Sequence, residues 1–95
     1  MKKTQIINDI NSYVGSDPHK DWYVGIATNV EERLFVEHCV DKKNDKWIHC
    51  KASSENIARE TESELLGKYG YDGGTGGGTS PTYVYAYKKK LHTKE

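Results

Sequence analysis

The chain has 95 residues, 35% hydrophobic and 29% charged, which is expected to hold one domain over residues 1–95 with a thin core and to exclude a second. Its 14 Lys and Arg balance 14 Asp and Glu, so the molecule as a whole lacks the positive field that draws in a polyanion, and any nucleic-acid contact has to be local. Two cysteines without CxxC spacing, a polar-interrupted first sixteen residues and no long apolar run exclude a disulfide framework, an export signal and a membrane span, so a cytoplasmic protein is expected.

Ile6, Ile7, Ile10 and Tyr13/Val14 recur at helical spacing and predict a first helix over 4–14, with a connector around Pro18 completing an N-terminal unit, 1–20. Residues 22–27 then alternate as a strand, with Trp22, Val24 and Ile26 on one face and Tyr23, Gly25 and Ala27 on the other. Gly25 leaves room for something to approach closely on the Tyr23 side, which makes it a candidate substrate-binding position. Thr28 with Glu31 three residues on matches a capping box and predicts a second helix through about His38, striped by Val30 and Leu34.

After the polar turn 40–46, Trp47 to Cys50 reads as a short strand, and Ser53-Ser54-Glu55 caps a third helix to about Lys68. Glycine density over 70–80 predicts a loop, because a backbone so free holds neither helix nor strand. A C-terminal strand over 81–90 puts Tyr83, Tyr85 and Tyr87 on one face and Val84 and Ala86 on the other, and its lysine-rich end is expected to fray. The elements predict an α/β (α+β) fold, a small three-stranded, mainly antiparallel sheet flanked by about three helices.

On the third helix Ile57, Ala58, Thr61, Leu65 and Leu66 form the buried stripe, and Glu62 falls inside that arc. An inward carboxylate needs a cation, an arginine or several donors, or its pKa rises. Pairing with a lysine or with Arg59 is the purely structural alternative. The pairs His38-Cys39 and His49-Cys50 offer soft ligands but lack the short spacings of zinc modules, so small buried cysteines and a helix-ending His38 are expected instead. No Gly-Lys-Ser/Thr ends the Gly-rich segment, so it is no nucleotide P-loop. Its backbone N–H groups at Gly73 and Gly74 could cradle a phosphate, or the segment could serve only as a linker.

Tyr23-Val24-Gly25, then Arg33 ten residues after Tyr23, then a strand and the helix reading Ala58-Arg59-Glu60-Thr61-Glu62-Ser63-Glu64-Leu65-Leu66, resemble the GIY-YIG nuclease family over about half the chain. In that family two tyrosines lie around the attacking water, the arginine contacts the scissile phosphate and the helix glutamate holds one divalent cation. The resemblance therefore implies Tyr23 and Arg33 as catalytic residues, Glu62 as ligand of a single Mg²⁺ or Mn²⁺, and nucleic acid as partner, DNA ahead of RNA. No GIY strand precedes Trp22. Residues 81–87 read like that strand moved to the chain's end, a circular permutation that makes Tyr83 the second tyrosine and seats it beside Tyr23. Asp72 stands in for the polar residue that ends the family's site.

Guanidinium matches phosphate bidentately and Mg²⁺ binds through one carboxylate plus waters and phosphate oxygens, so these residue types suit metal-dependent cleavage of a phosphodiester backbone. The alternatives are a non-catalytic module of the same fold that binds nucleic acid or protein, or an interaction domain that docks partners through its tyrosine strand.

Overall fold

A computed structural model describes residues 1–74 and 80–95. Helix α1, Lys3–Val14, buries Ile6, Ile7, Ile10 and Val14 along one face and stops at Gly15, whose φ of 67° suits a residue without a Cβ. A 3₁₀ turn, His19–Asp21, leads into strand β1, Trp22–Ala27. The next segment, Glu32–Glu37, is a π-helical turn rather than an α-helix. Strand β2, Trp47–Lys51, helix α2, Glu55–Gly67, the two-residue strand β3, Asp72–Gly73, and strand β4, Tyr83–Lys88, complete the described elements.

The strands lie in the order β2-β4-β1-β3, with β4 antiparallel to both neighbours and β3 parallel to β1. The sheet is thus four-stranded and mixed, where three mainly antiparallel strands were expected. The extra strand comes from the segment predicted as loop: Asp72 pairs with Tyr23 and Gly73 with Val24. Close packing accounts for the glycine, since a Cβ at residue 73 would stand 2.6 Å from both the Val24 carbonyl and the Leu66 side chain. The rest of the predicted loop, 75–79, lies outside the described residues.

One face of the sheet presents Trp22, Val24, Ile26 and Val84 to the apolar stripes of α1 and α2. The other carries Ala27, Tyr85 and Tyr87 against Leu34 of the π-turn and Val30 and Val40 on either side of it. The alternation read from the sequence accounts for both layers. Ser54 caps α2, its hydroxyl accepting from Ile57 N at 3.2 Å. Ahead of the π-turn Asn29 Oδ1 accepts from Glu32 N at 3.2 Å, a capping bond that asparagine makes readily.

The C-terminal tail does not fray. Lys89 N donates to the Asp21 carbonyl at 2.9 Å and Lys94 N to the His38 carbonyl at 2.8 Å. Lys88 pairs with Asp17 at 3.1 Å, and Lys89 with Asp72 at 2.8 Å and Glu95 at 3.4 Å. Such surface pairs contribute about 0–1 kcal/mol each, so the backbone bonds do most of the fixing. No helix among the described residues is long and apolar enough to cross a membrane.

Ile10 is wholly buried between α1 and the sheet. Ile10→Ala is expected to cost about 2–5 kcal/mol, a large share of a small domain's stability, read from the urea midpoint. An unchanged midpoint would mean that α1 does not pack there.

Candidate functional site

The register of β1 with β4 sets Tyr23 opposite Tyr87, Gly25 opposite Tyr85 and Ala27 opposite Tyr83. All four tyrosines share one face. Tyr87 stacks on Tyr23 with ring centres 5.4 Å apart. Tyr85 occupies the space that Gly25 leaves: a Cβ there would stand 2.6 Å from Tyr85 Cζ and closer still to its hydroxyl. Tyr83 lies on the expected face but not beside Tyr23, because at about 3.3 Å per residue it stands roughly 13 Å along the strand from Tyr87. It meets His49 edge-on at 5.8 Å instead.

The π-turn supplies the next two groups. Its i→i+5 bonding, seen in His38 N donating to the Arg33 carbonyl at 2.9 Å, stacks His38 one turn above Arg33. His38 is buried, and its Nδ1 faces the Lys94 carbonyl. A carbonyl only accepts, so Nδ1 carries the hydrogen. Nε2 of the neutral ring is then an acceptor, and it receives the Tyr85 hydroxyl at 2.7 Å. Burial pulls the imidazole below its usual pKa, so the ring is neutral at pH 7. The Tyr87 hydroxyl donates to the same Lys94 carbonyl at 3.2 Å.

Arg33 pairs with Glu37 at 3.5 Å and stays partly exposed. Its charge acts on both phenols nearby. Burial pushes Tyr85 far above the usual tyrosine value, Arg33 opposes that rise, and Tyr23 and Glu62 add to it. Burial likewise raises Tyr23, with Glu95, Asp72 and Glu62 adding and Arg33 opposing.

Glu62 projects from α2 one position after the wholly buried Thr61 and is itself half-buried. Burial raises its pKa, and Arg59 offsets this only in part. Arg59 is committed to Glu55 at 2.8 Å, so the expected Arg59 pairing is not made. Among the described residues no hydrogen bond or ion pair engages the Glu62 carboxylate. Its field reaches Tyr23 and Tyr85 all the same, as does that of Arg33. Tyr23 and the π-turn that carries Arg33 lie on the tyrosine face of the sheet, whereas Glu62 stands on α2, which packs on the other face.

Asp72 lies beside Tyr23 on β3 but is held by Lys89, whose hydrogen bond keeps its carboxyl below the ordinary value. The backbone of Gly74 abuts the Tyr23 hydroxyl, with a Cβ there meeting it at 2.7 Å, while Gly73 packs against Leu66 and the β1 backbone. Among the described residues no three His, Cys, Asp or Glu side chains gather into a ligand set, and Cys39 and Cys50 are free thiols. Tyr85 and His38 are the two site residues that the sequence reading did not select. Tyr85 was visible as the residue two places after Tyr83 on the same strand face, whereas His38 required a π-turn. Comparison with protein-family models, with curated proteins and with solved structures finds no match.

Gly25→Ala is expected to cost about 1–3 kcal/mol through overpacking and to drive Tyr85 off His38. Wild-type thermal stability unaltered by this change would contradict the close approach. The unfolded imidazole takes a proton below about pH 6.5 that folded His38 resists, so this residue's contribution to stability falls as pH drops from there toward its depressed folded value. The stability difference between wild type and His38→Gln should therefore shrink between pH 7 and 5.5. A difference constant with pH would show that the ring is not desolvated.

Proposed function

We propose that the chain is a GIY-YIG-like phosphodiesterase, circularly permuted, with β4 in the role of the GIY strand and Tyr85 rather than Tyr83 as its tyrosine. The observation that carries this reading is the pairing of β1 with β4, which sets Tyr23 and Tyr85 on one sheet face with the π-turn that bears Arg33 packed over it. A guanidinium, a carboxylate and two phenols make up the chemistry that backbone cleavage needs. The substrate is nucleic acid, DNA ahead of RNA, and the two unpaired thiols suit a reducing cytoplasm.

Arg33 binds the scissile phosphate and offsets the negative charge that grows on its oxygens. Tyr23, which keeps part of its surface in solvent, orients the attacking water, and the buried Tyr85, its hydroxyl held on His38 Nε2, backs the site from the facing strand. His38 keeps its Nδ1–H on the Lys94 carbonyl, which fixes the ring plane throughout. The water oxygen adds to phosphorus as its proton passes to solvent, the P–O bond to the leaving oxygen breaks, and solvent returns a proton to that oxygen.

The Glu62 carboxylate fits a divalent cation, being half-buried, raised in pKa and without a hydrogen-bond or ion-pair partner among the described residues. When bound, Mg²⁺ or Mn²⁺ supplies Lewis-acid neutralisation of the phosphate and leaving oxygen.

In a cleavage assay with Mg²⁺ or Mn²⁺ on mixed DNA and RNA substrates, Arg33→Ala, Glu62→Gln and Tyr23→Phe are each expected to lower the rate by about 10²-fold or more. Cleavage that survives both Arg33→Ala and Glu62→Gln would reject the assignment. Without metal, Glu62→Gln should melt a few degrees above wild type, because it removes an uncompensated carboxylate. Added Mg²⁺ should stabilise wild type and leave this variant unmoved. An equal Mg²⁺ shift in both proteins would remove Glu62 as the ligand.

A further inference from the structure

Beyond Tyr85 the tyrosine face continues into a row of partly exposed rings that the phosphodiester chemistry does not use. Trp47 and His49 of β2 stack with ring centres 5.5 Å apart and planes 21° from parallel, and His49 meets Tyr83 of β4 edge-on. Phe35 closes on Trp47 at 5.0 Å. Two ammonium groups lie over the row, Lys51 at 5.9 Å from the Tyr83 ring centre and Lys42 at 5.5 Å from that of Phe35. His49 and Tyr83 line an open cleft of about 440 Å³ whose other walls are Thr28, Asn29, Val30 and Glu31.

The lining selects its occupant. Aromatic edges and faces with cations nearby favour a flat, polarisable ring. The Glu31 carboxylate, paired with Lys42 at 3.7 Å, keeps lone pairs that accept hydrogen bonds from the exocyclic amino group of a base. A volume of this size suits one heterocycle and its sugar. Position adds to this: Tyr83 stands two residues from Tyr85 on the same strand face, roughly 7 Å, which is about the reach from a backbone phosphate to the base of an adjoining nucleotide.

We infer that this cleft is a stacking site for an unpaired nucleobase next to the scissile phosphate, so that the protein acts on an unpaired strand rather than on an intact duplex. A paired base is stacked between its neighbours and reaches such a cleft only after unpairing. The register of base and phosphate rests on the proposed phosphodiesterase reading. The stacking itself does not.

The test is fluorescence anisotropy of a short labelled single strand in EDTA, compared with the same sequence as a duplex and with a strand carrying abasic positions. Wild type is expected to bind the intact single strand about tenfold or more tightly than either comparison strand. Tyr83→Ala and His49→Ala should each weaken it by about tenfold, and Tyr83→Phe, which keeps the ring, should restore it. Equal affinity for the abasic strand, or a preference untouched by Tyr83→Ala, overturns the stacking site. Ring-dependent binding without any cleavage in Mg²⁺ would support the cleft and refute the phosphodiesterase. Duplex cleavage without an unpaired preference would do the reverse.

Discussion

The Tyr85 ring lies against the Gly25 backbone, and the polar interior of that face follows from what its buried hydroxyl requires. A phenol taken out of water must find a partner, and the partner here is a histidine that is itself buried. The histidine passes the requirement on: its second nitrogen needs an acceptor, which the Lys94 carbonyl provides only if the C-terminal tail folds back over the π-turn. One close contact between β1 and β4 thus dictates a ring tautomer, a helix type and the path of the tail. Among the described residues no buried side-chain polar atom is left without a partner, which is what a linked set of this kind predicts.

Glu62 stands outside that economy of pairs. Its neighbours on α2 are satisfied, Thr61 by the Ile57 carbonyl at 2.6 Å and Arg59 by Glu55, yet its own carboxylate is desolvated without a hydrogen bond or ion pair among the described residues. A lysine within reach would remove the strain at little cost, and the chain has many lysines. The polar groups of this region thus divide into a histidine–tyrosine pair locked by the fold and a carboxylate that the described residues leave without a hydrogen bond or ion pair. Under the proposed function that carboxylate is the one open to a cation.

The periodic parts of the fold were legible. Alternation at Trp22–Ala27 and Tyr83–Lys88, and the stripes of α1 and α2, follow from side chains that must all face a buried layer, and period is a direct record of that demand. What escaped depended on contacts rather than period. Asp72 and Gly73 form a strand because β1 offers an edge and Leu66 leaves room for nothing larger than glycine, neither of which composition reveals. His38 is five residues from Arg33, about 140° away on an α-helix at 100° per residue, and joins it only because the turn is π-helical. Alternation puts Tyr83, Tyr85 and Tyr87 on one face but does not fix their register against β1. Only the pairing of Gly25 with Tyr85 separates the three tyrosines.

The neutral net charge constrains how such a site could hold a polyanion. Counterion release scales with the number of phosphates neutralised, and a chain with equal numbers of acidic and basic side chains, several of its lysines already paired, has few charges to give. Under the proposed function affinity must then come from contacts that salt does not screen. Ring stacking is of that kind, and the row from Phe35 to Tyr83 lies on the same sheet face as Arg33's phenol partners, reached along β4 without crossing an edge. The strand order suits this arrangement: β4 is flanked by β1 on one side and β2 on the other, so the strand that carries Tyr85 also brings Tyr83 to the cleft. Chemistry and affinity are then set by alternate residues of a single strand, and any slip of its register would disturb both together.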